Sequence, residues 1–369
     1  MSPDSKPSPA DNLQSAVSQT LSERPAQAID RRTLLVASGA AAIGVLGYPI
    51  VKRAFASSQP VFIARNQRYN GPLKQTILDG LLATGFKPEQ FHNKRVLLKP
   101  NMVEPSKQSP QMTTNPAVVL AAAEVFRDWK ADVAVGEAPG HVRDTEMALV
   151  ESGMQSALDD SRLPFADLNY QQVAWTPNRG RVSQLEGFYF PRSVVDADFV
   201  VSMPKMKTHH WVGMTASMKN LYGTIPGVVY GWPKNVLHHA GIPQTVYDIN
   251  ASLPPAIAII DGIVCMEGDG PIMGSAKPMG LILIGPNLPA VDATTARIMN
   301  LHPEQVGYLS LAADRLGPID DRRIEQRGEH WQELVAPFHI LNAPHLRDLP
   351  VDPAALISKA ALAAARATA

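Results

Sequence analysis

Cysteine is almost missing from this chain: 369 residues contain one, Cys265. A single thiol excludes an internal disulfide, a cysteine-ligated iron–sulfur cluster and a structural four-cysteine zinc site. Cys265 follows an apolar run, Ile257 to Val264, which is the setting of a buried thiol rather than a nucleophile. An excess of charge is missing too, because 34 Lys and Arg balance 34 Asp and Glu. Nucleic-acid binders carry a basic excess, so the balance argues against that class of partner. It leaves open a small anion held in a local basic pocket. The chain holds no internal repeat, Ser-His-Asp signature, Walker-type phosphate loop or His-Glu-x-x-His motif, and Gly268-Asp-Gly270 reads as a glycine turn.

What is present is an ordinary globular mix, 45% hydrophobic and 18% charged, at a length of one large or two ordinary domains. Residues 1–28 are rich in Ser, Pro, Gln and Ala and read as a disordered leader. Asp30-Arg31-Arg32-Thr33 then precedes an Ala- and Gly-rich apolar run to Val51, followed by Lys52-Arg53 and Ala54-Phe55-Ala56. Paired arginines before such a run, with a small-x-small cleavage site after it, resemble the bacterial twin-arginine export signal. Asp30 departs from that pattern, which usually has Ser or Thr there, and so does the long leader. The segment 33–51 is also about long enough to span a bilayer. Region 29–56 is therefore expected to be a twin-arginine signal or a membrane anchor. Either engages the twin-arginine translocon and places the protein in the periplasm or on the outer side of the inner membrane.

From residue 60 to 348 strands alternate with helices, which predicts one α/β domain with a mostly parallel sheet and helices on both faces. Strands are expected at Val61–Ala64, Arg95–Leu98, Ala131–Gly136, Phe165–Leu168, Asp198–Met203, Ala256–Ile260 and Gly280–Gly285. Helices are expected over Leu73–Thr84, Ala117–Trp129, Asp144–Ser152, Ala290–Met299 and Pro303–Leu316, with another starting at Val246. Short alternating pieces between 170 and 191 suggest a small β insertion at a sheet edge. Ile225–Pro243 reads as loop, and 353–369 as an Ala-rich C-terminal helix.

The polar residues fall where those strands end. Lys99 and Asn101 follow one, Glu137 and His141 another, and Asp261 a third, with Glu267 and Asp269 in the loop expected beyond it. Asn287 and Asp292 follow Leu281–Ile284. The densest group is Pro204–Gly223, which holds Lys205, Lys207, His209, His210, Lys219 and Asn220 with no acidic side chain. In a parallel sheet such ends share one side and can meet in a single crevice. Three chemistries are open there. Lys99, Lys205, Lys207 and Lys219, with Asn101, Asn220 and the hydroxyls of Thr113, Thr114 and Thr215, suit an anion. Glu137, Asp261 and Asp269, with His209, suit a divalent metal. A lysine of depressed pKa, Lys219, beside His209 suits catalysis as base or nucleophile.

These residues lie in segments that resemble the bacterial and archaeal family known as domain of unknown function 362. The segments are Val96-Leu-Leu-Lys-Pro-Asn-Met-Val103, Thr113-Thr-Asn-Pro-Ala117, Asp132-Val-Ala-Val-Gly-Glu137, Ala197 to His209, Met218-Lys-Asn-Leu-Tyr-Gly223, Ile259 to Pro271 and Ala290-Val-Asp-Ala293. They run in the family's order and spacing across Val61 to Gly317. Many members carry Cys-rich ferredoxin-type modules that this chain lacks, so an iron–sulfur cluster is not implied here. A second resemblance, to the nickel-pincer lactate racemases, matches His209, Gly213 and Lys219 to a His, Gly and Lys of like layout. It implies a racemase-like enzyme in which the lysine holds a metal cofactor and the histidine ligates metal or moves protons, although the rest of that pattern is not evident.

The residues together predict an exported or membrane-tethered α/β protein with a basic, metal-assisted or metal-free site for a small anionic ligand or cofactor. A non-catalytic cofactor-binding or assembly factor is the alternative from another class. The export reading makes one prediction on its own. Replacing Arg31 and Arg32 together by Lys should hold the protein in the cytoplasm, as read by cell fractionation. Unchanged export contradicts it.

Overall fold

The computed structural model describes residues 58–141 and 143–367. The expected leader (1–28) and the signal or anchor (29–56, with Arg31, Arg32 and the apolar segment 33–51) lie outside the described residues. Among the described residues no helix is long and apolar enough to cross a membrane.

Among the described residues fourteen strands are formed: β1 Gln59–Ala64, β2 Arg95–Pro100, β3 Asp132–Glu137, β4 Phe165–Asp167, β5 Val173–Pro177, β6 Gly187–Pro191, β7 Phe199–Met203, β8 Lys205–His209, β9 Gly213–Thr215, β10 Ala256–Asp269, β11 Met273–Gly285, β12 Ile324–Gly328, β13 Ile340–Leu341 and β14 Leu356–Ile357. Twelve of them share one sheet, whose main path runs β12-β1-β11-β10-β7-β2-β3-β4. Along that path β12–β1, β10–β7, β7–β2, β2–β3 and β3–β4 pair in parallel, while β1–β11 and β11–β10 are antiparallel. The sheet is therefore mostly parallel.

Its central strands are apolar on both faces, as burial between two helical layers requires. Successive side chains of a strand point to opposite faces. Val96, Leu98, Val201, Ile257 and Ile259 accordingly join one core, with the helices Leu73–Ala83 and Pro116–Asp128. Leu97, Val200, Ala258 and Ile260 join the other, with the helices Ile242–Ser252 and Leu288–Ile298. Cys265 is fully buried in this second core, where burial pushes its thiol up. The expected insertion is the separate antiparallel pair β5–β6. It is pinned by the buried Asp248 carboxylate, which accepts hydrogen bonds from the backbone N–H of Val182 and Ser183.

Several local expectations are corrected. The Pro116 helix starts at the proline itself, one residue before the expected Ala117, and is capped by the Asn115 amide oxygen, which accepts from the Ala117 N–H. The strand expected to stop at Ile260 continues through Asp261 and Gly262 to Asp269. It does so because β10 leaves β7 after Ala258 and stays paired with β11, with a register shift between Gly262 and Val264. Glu267 and Asp269 are thus strand residues. The basic run after Pro204 is itself a strand, β8, bridged to β10 at Lys205–Asp261 and Lys207–Met266. Short helices, Gly227–Tyr230 and Asn235–His239, occupy the expected loop. At the tail, Leu356 and Ile357 pair with Ile340 and Leu341, so helix forms only over Lys359–Ala367. Strand pairing there outweighs the helix propensity of alanine.

Candidate functional site

Parallel registry brings three strand ends to one edge. Pro100 of β2 sits beside Met203 of β7, Leu98 beside Val135, and Glu137 of β3 beside Asp167 of β4. The chain turns at Pro204 and returns as the β8–β9 hairpin, in which Lys207 faces Thr215 and His209 faces Gly213. A period of two puts Lys205, Lys207 and His209 on one face and Met206, which is in the core, on the other. Gly213 has φ +83, and a Cβ there would meet the Leu349 side chain, so only glycine closes this hairpin. The next turn, Ser217–Asn220, is anchored by the buried Asp292, whose carboxylate accepts from the N–H of Ser217 and of Met218. That anchoring aims Lys219 and Asn220 back at the strand ends.

The result is a small pocket of about 110 Å3, partly open to solvent. Eight residues expected from the sequence line it: Lys99, Asn101, Glu137, Lys207, His209, Thr215, Lys219 and Asn220. Lys99 Nζ donates to Glu137 Oε2 at 2.5 Å, to Asn220 Oδ1 at 2.9 Å and to the Pro100 carbonyl at 2.7 Å. Asn220 in turn donates to the Lys99 carbonyl and Ser202 Oγ, so every polar atom of its amide is used. Gly223 lies so close that a Cβ would collide with Glu137 Oε1 and Lys99 Nζ.

Beyond this one ion pair the pocket is short of negative charge. Lys207 Nζ donates to two carbonyls, Met112 at 2.7 Å and Pro271 at 3.2 Å. Lys234 Nζ donates to the carbonyls of Ala138 at 3.0 Å and Tyr222 at 3.2 Å. Lys219, half-buried, lies 4.0 Å from the centre of the Tyr222 ring and has no hydrogen-bond or ion-pair partner among the described residues. Burial, then neighbouring lysines, drives their protonation down. Lys207 falls well below the usual lysine range, mainly by burial and then by Lys205 and Lys219. Lys219 is lowered to about 7 by burial and by Lys99. Lys234 is lowered to about 7, chiefly by burial. In the ion pair, burial lowers Lys99 and raises Glu137.

The histidines remain neutral beside these cations. His209 is held well below its ordinary value by burial and Lys219, and its Nδ1 accepts from the Trp211 N–H at 3.1 Å. The proton of the neutral ring is thereby assigned to Nε2. His238 is lowered to about 4, first by burial, and lies between Trp211 and Tyr222. One buried acceptor is unused: Asn101 Oδ1, on the pocket wall, has no hydrogen-bond partner.

Four expected site residues are not in the pocket. Lys205 and Asp261 are fully buried against each other, Nζ to Oδ2 at 2.5 Å, and Tyr69 bridges them by accepting from Lys205 and donating to Asp261. Asp261 also accepts from the Asn115 N–H. Thr114 Oγ1 donates to the Met203 carbonyl and accepts from the Asn101 N–H, tying two strand ends together behind the wall. Asp269 lies 3.3 Å from His210 Nδ1. Glu137, Asp261 and Asp269 therefore do not gather as one ligand set. Among the described residues no three His, Cys, Asp or Glu side chains stand together as a metal site. His141 and His210 also line the pocket, His141 exposed beside Glu104. Asn287 follows β11, which runs antiparallel to its neighbours, so it leaves from the opposite end of the strands, while Asp292, on the helix that follows, anchors the Ser217 turn and does not line the pocket.

Sequence reasoning missed Lys234, Tyr222 and His238. Lys234 stands in a Gly-, Pro- and Trp-rich stretch where an isolated lysine carries no signal. Tyr222 and His238 signal only through their place near Lys219, which needs the fold to become visible.

Comparison with known proteins agrees with the segment order. The profile described as "Domain of unknown function (DUF362)" matches residues 96–297. The thylakoid-associated protein sll1697 of Synechocystis sp. (strain ATCC 27184 / PCC 6803 / Kazusa) is 29% identical over 230 residues, covering 60% of this chain and 68% of that protein. Among solved structures, the lactate racemase apoprotein from Thermoanaerobacterium thermosaccharolyticum superposes with a TM-score of 0.35 and 12% identity. The alignment covers 55% of this chain and 51% of that one, so this chain matches about half the racemase's length. That likeness is too weak to bear on the chemistry of the pocket.

The two kinds of lysine separate in stability measurements. Lys205→Met strands a fully buried carboxylate and should cost about 3–5 kcal/mol in denaturant unfolding. Lys219→Met should do the opposite. Its folded pKa of about 7 lies below the unfolded value, so wild-type stability rises with pH from about 7 towards the ordinary lysine pKa as the folded state sheds its proton first. Lys219→Met should therefore raise Tm at pH 7 and lose that advantage near pH 10. A lower Tm at pH 7 would show that Lys219 stabilises the fold.

Proposed function

Starting from a chain that belongs to the domain of unknown function 362 family, we propose that its pocket binds a small organic anion. One observation carries this reading. Of the four lysines lining the pocket only Lys99 has a carboxylate partner among the described residues, and it is Glu137. A ligand's carboxylate or phosphate would supply the charge that Lys207, Lys219 and Lys234 lack, with Thr215 as a hydroxyl donor. Trp211, Tyr222, Pro233 and His238 also line the pocket, which suits the apolar body of an organic anion better than a bare inorganic one. The ligand class is therefore a compact molecule with an anionic head.

One observation also favours a carrier or assembly factor over an enzyme. Trp211, Val228, Val229 and Val236 are each about half exposed on the segments around the pocket. Exposed apolar side chains in such numbers beside a site suit hand-over of a bound molecule to a partner. Location fits either role: Arg31-Arg32 and the apolar run after them support export, and a relative described as thylakoid-associated supports a place at a membrane.

Charge compensation is measurable as proton uptake. An anion beside Lys219 and Lys234 raises their pKa values from about 7, so binding at pH 8 takes up protons. Titration calorimetry with phosphate, oxalate and pyruvate, in two buffers of different ionisation enthalpy, should show buffer-dependent heat for at least one of the three. Lys219→Met and Lys234→Met should each weaken that binding about tenfold or more, the equivalent of ~1.4 kcal/mol. If none of the three anions binds at millimolar concentration, the pocket is not an anion site.

A further inference from the structure

We propose that Lys219 captures the carbonyl group of the ligand as an imine, so that the pocket's ligand is a small anion carrying an aldehyde or ketone. The inference rests on the anion-site reading and deepens it. It begins from the contrast among the four lysines. Lys99, Lys207 and Lys234 each donate to two or more oxygens, which holds their nitrogens as hydrogen-bond donors. Those bonds fix the orientation of each nitrogen. Lys219 Nζ has no such acceptor among the described residues and reaches the same pocket.

The surroundings suit each stage of the reaction. Lys207 and Lys234 flank the site and can hold the anionic head, which fixes the carbonyl near Lys219. Attack by the amine forms a C–N bond and a carbinolamine. Loss of its oxygen as water, which carries away both amine hydrogens, leaves the C=N bond. No oxidant or reductant is needed. Asn101 Oδ1, buried on the wall without a partner, is an acceptor available to the carbinolamine hydroxyl. The neutral His209, with its proton assigned to Nε2, is a donor available to the departing oxygen. The neutral imine then takes one proton from solvent, which restores over the Tyr222 ring the positive charge of the ammonium form, and the ring face stabilises that cation. At neutral pH about half of the Lys219 amine is free base, given its pKa of about 7.

Reductive trapping tests the inference. The full-length protein is incubated at pH 7 with pyridoxal 5′-phosphate or with glyoxylate, reduced with sodium borohydride and mapped by peptide mass spectrometry. Glyoxylate is included because it is small enough to enter whatever the bulk of the first probe prevents. Lys219 should be modified about tenfold faster than the exposed Lys74 or Lys107, and excess phosphate should suppress the adduct. Lys219→Arg should lose the pocket adduct, and its phosphate-dependent proton uptake should fall to the share of Lys234 alone. If both probes modify only exposed lysines while phosphate still binds, imine formation is wrong and the anion site stands. If none of phosphate, oxalate and pyruvate binds either, both readings fall together.

Discussion

Taking a lysine ammonium out of water costs several kcal/mol unless other groups replace its hydration. This protein answers that cost in two ways within one run of sequence. Lys205 is given a carboxylate, Asp261, and a phenol, Tyr69, and becomes part of the wall between β8, β10 and the Pro116 helix. Lys207, two residues on and on the same strand face, is given carbonyl dipoles and no carboxylate. Lys219 and Lys234 follow the second pattern or go further. The deficit of negative charge is concentrated at the edge where three parallel strands end, and the pocket, the neutral histidines and the ligand class all follow from it.

The rest of the fold can be understood as support for that edge. The Asp292 carboxylate fixes the turn that presents Lys219, and it does so from a helix on the far side of the β11 connection. Gly223 leaves room for the Lys99–Glu137 pair, whose atoms a methyl group would displace. Asn220 uses its whole amide to align that pair with β2 and β7. Buried polar groups in such a network are each satisfied, which rigidifies it. The exception is Asn101 Oδ1, and an unsatisfied acceptor on a pocket wall is where a ligand group finds its place.

Much of this was legible in the sequence, for identifiable reasons. Strand ends such as Lys99-Pro-Asn101 and Glu137 follow unbroken apolar runs, and a polar group there marks where a buried parallel strand leaves the sheet. The alternation of Lys205, Lys207 and His209 with Met206 and Thr208 has the period of a strand, but cations at alternate positions are unusual in a buried one. What the sequence could not say is which cation would meet a carboxylate. Asp261 is far from Lys205 in the chain, and their pairing depends on β10 running past the point where the apolar pattern weakens. For the same reason the three carboxylates expected at a metal dispersed into separate partnerships. The direction of β11 was equally hidden, because an apolar run reads the same parallel or antiparallel, and it put Asn287 at the opposite end of the strands while Asp292 reaches the turn before Lys219 from the helix that follows.

The central claim is that Lys219 stands in the free protein as a cation without a counter-charge. Its side-chain titration, followed by NMR of protein carrying 13C-labelled lysine with Lys219→Arg to assign the signal, tests this directly. The account predicts a pKa of about 7 in the free protein, well under the ordinary lysine value, rising when a binding anion saturates the pocket. A Lys219 that titrates near 10 without ligand would contradict it, because the pocket would then hold no unmet charge for a ligand to answer.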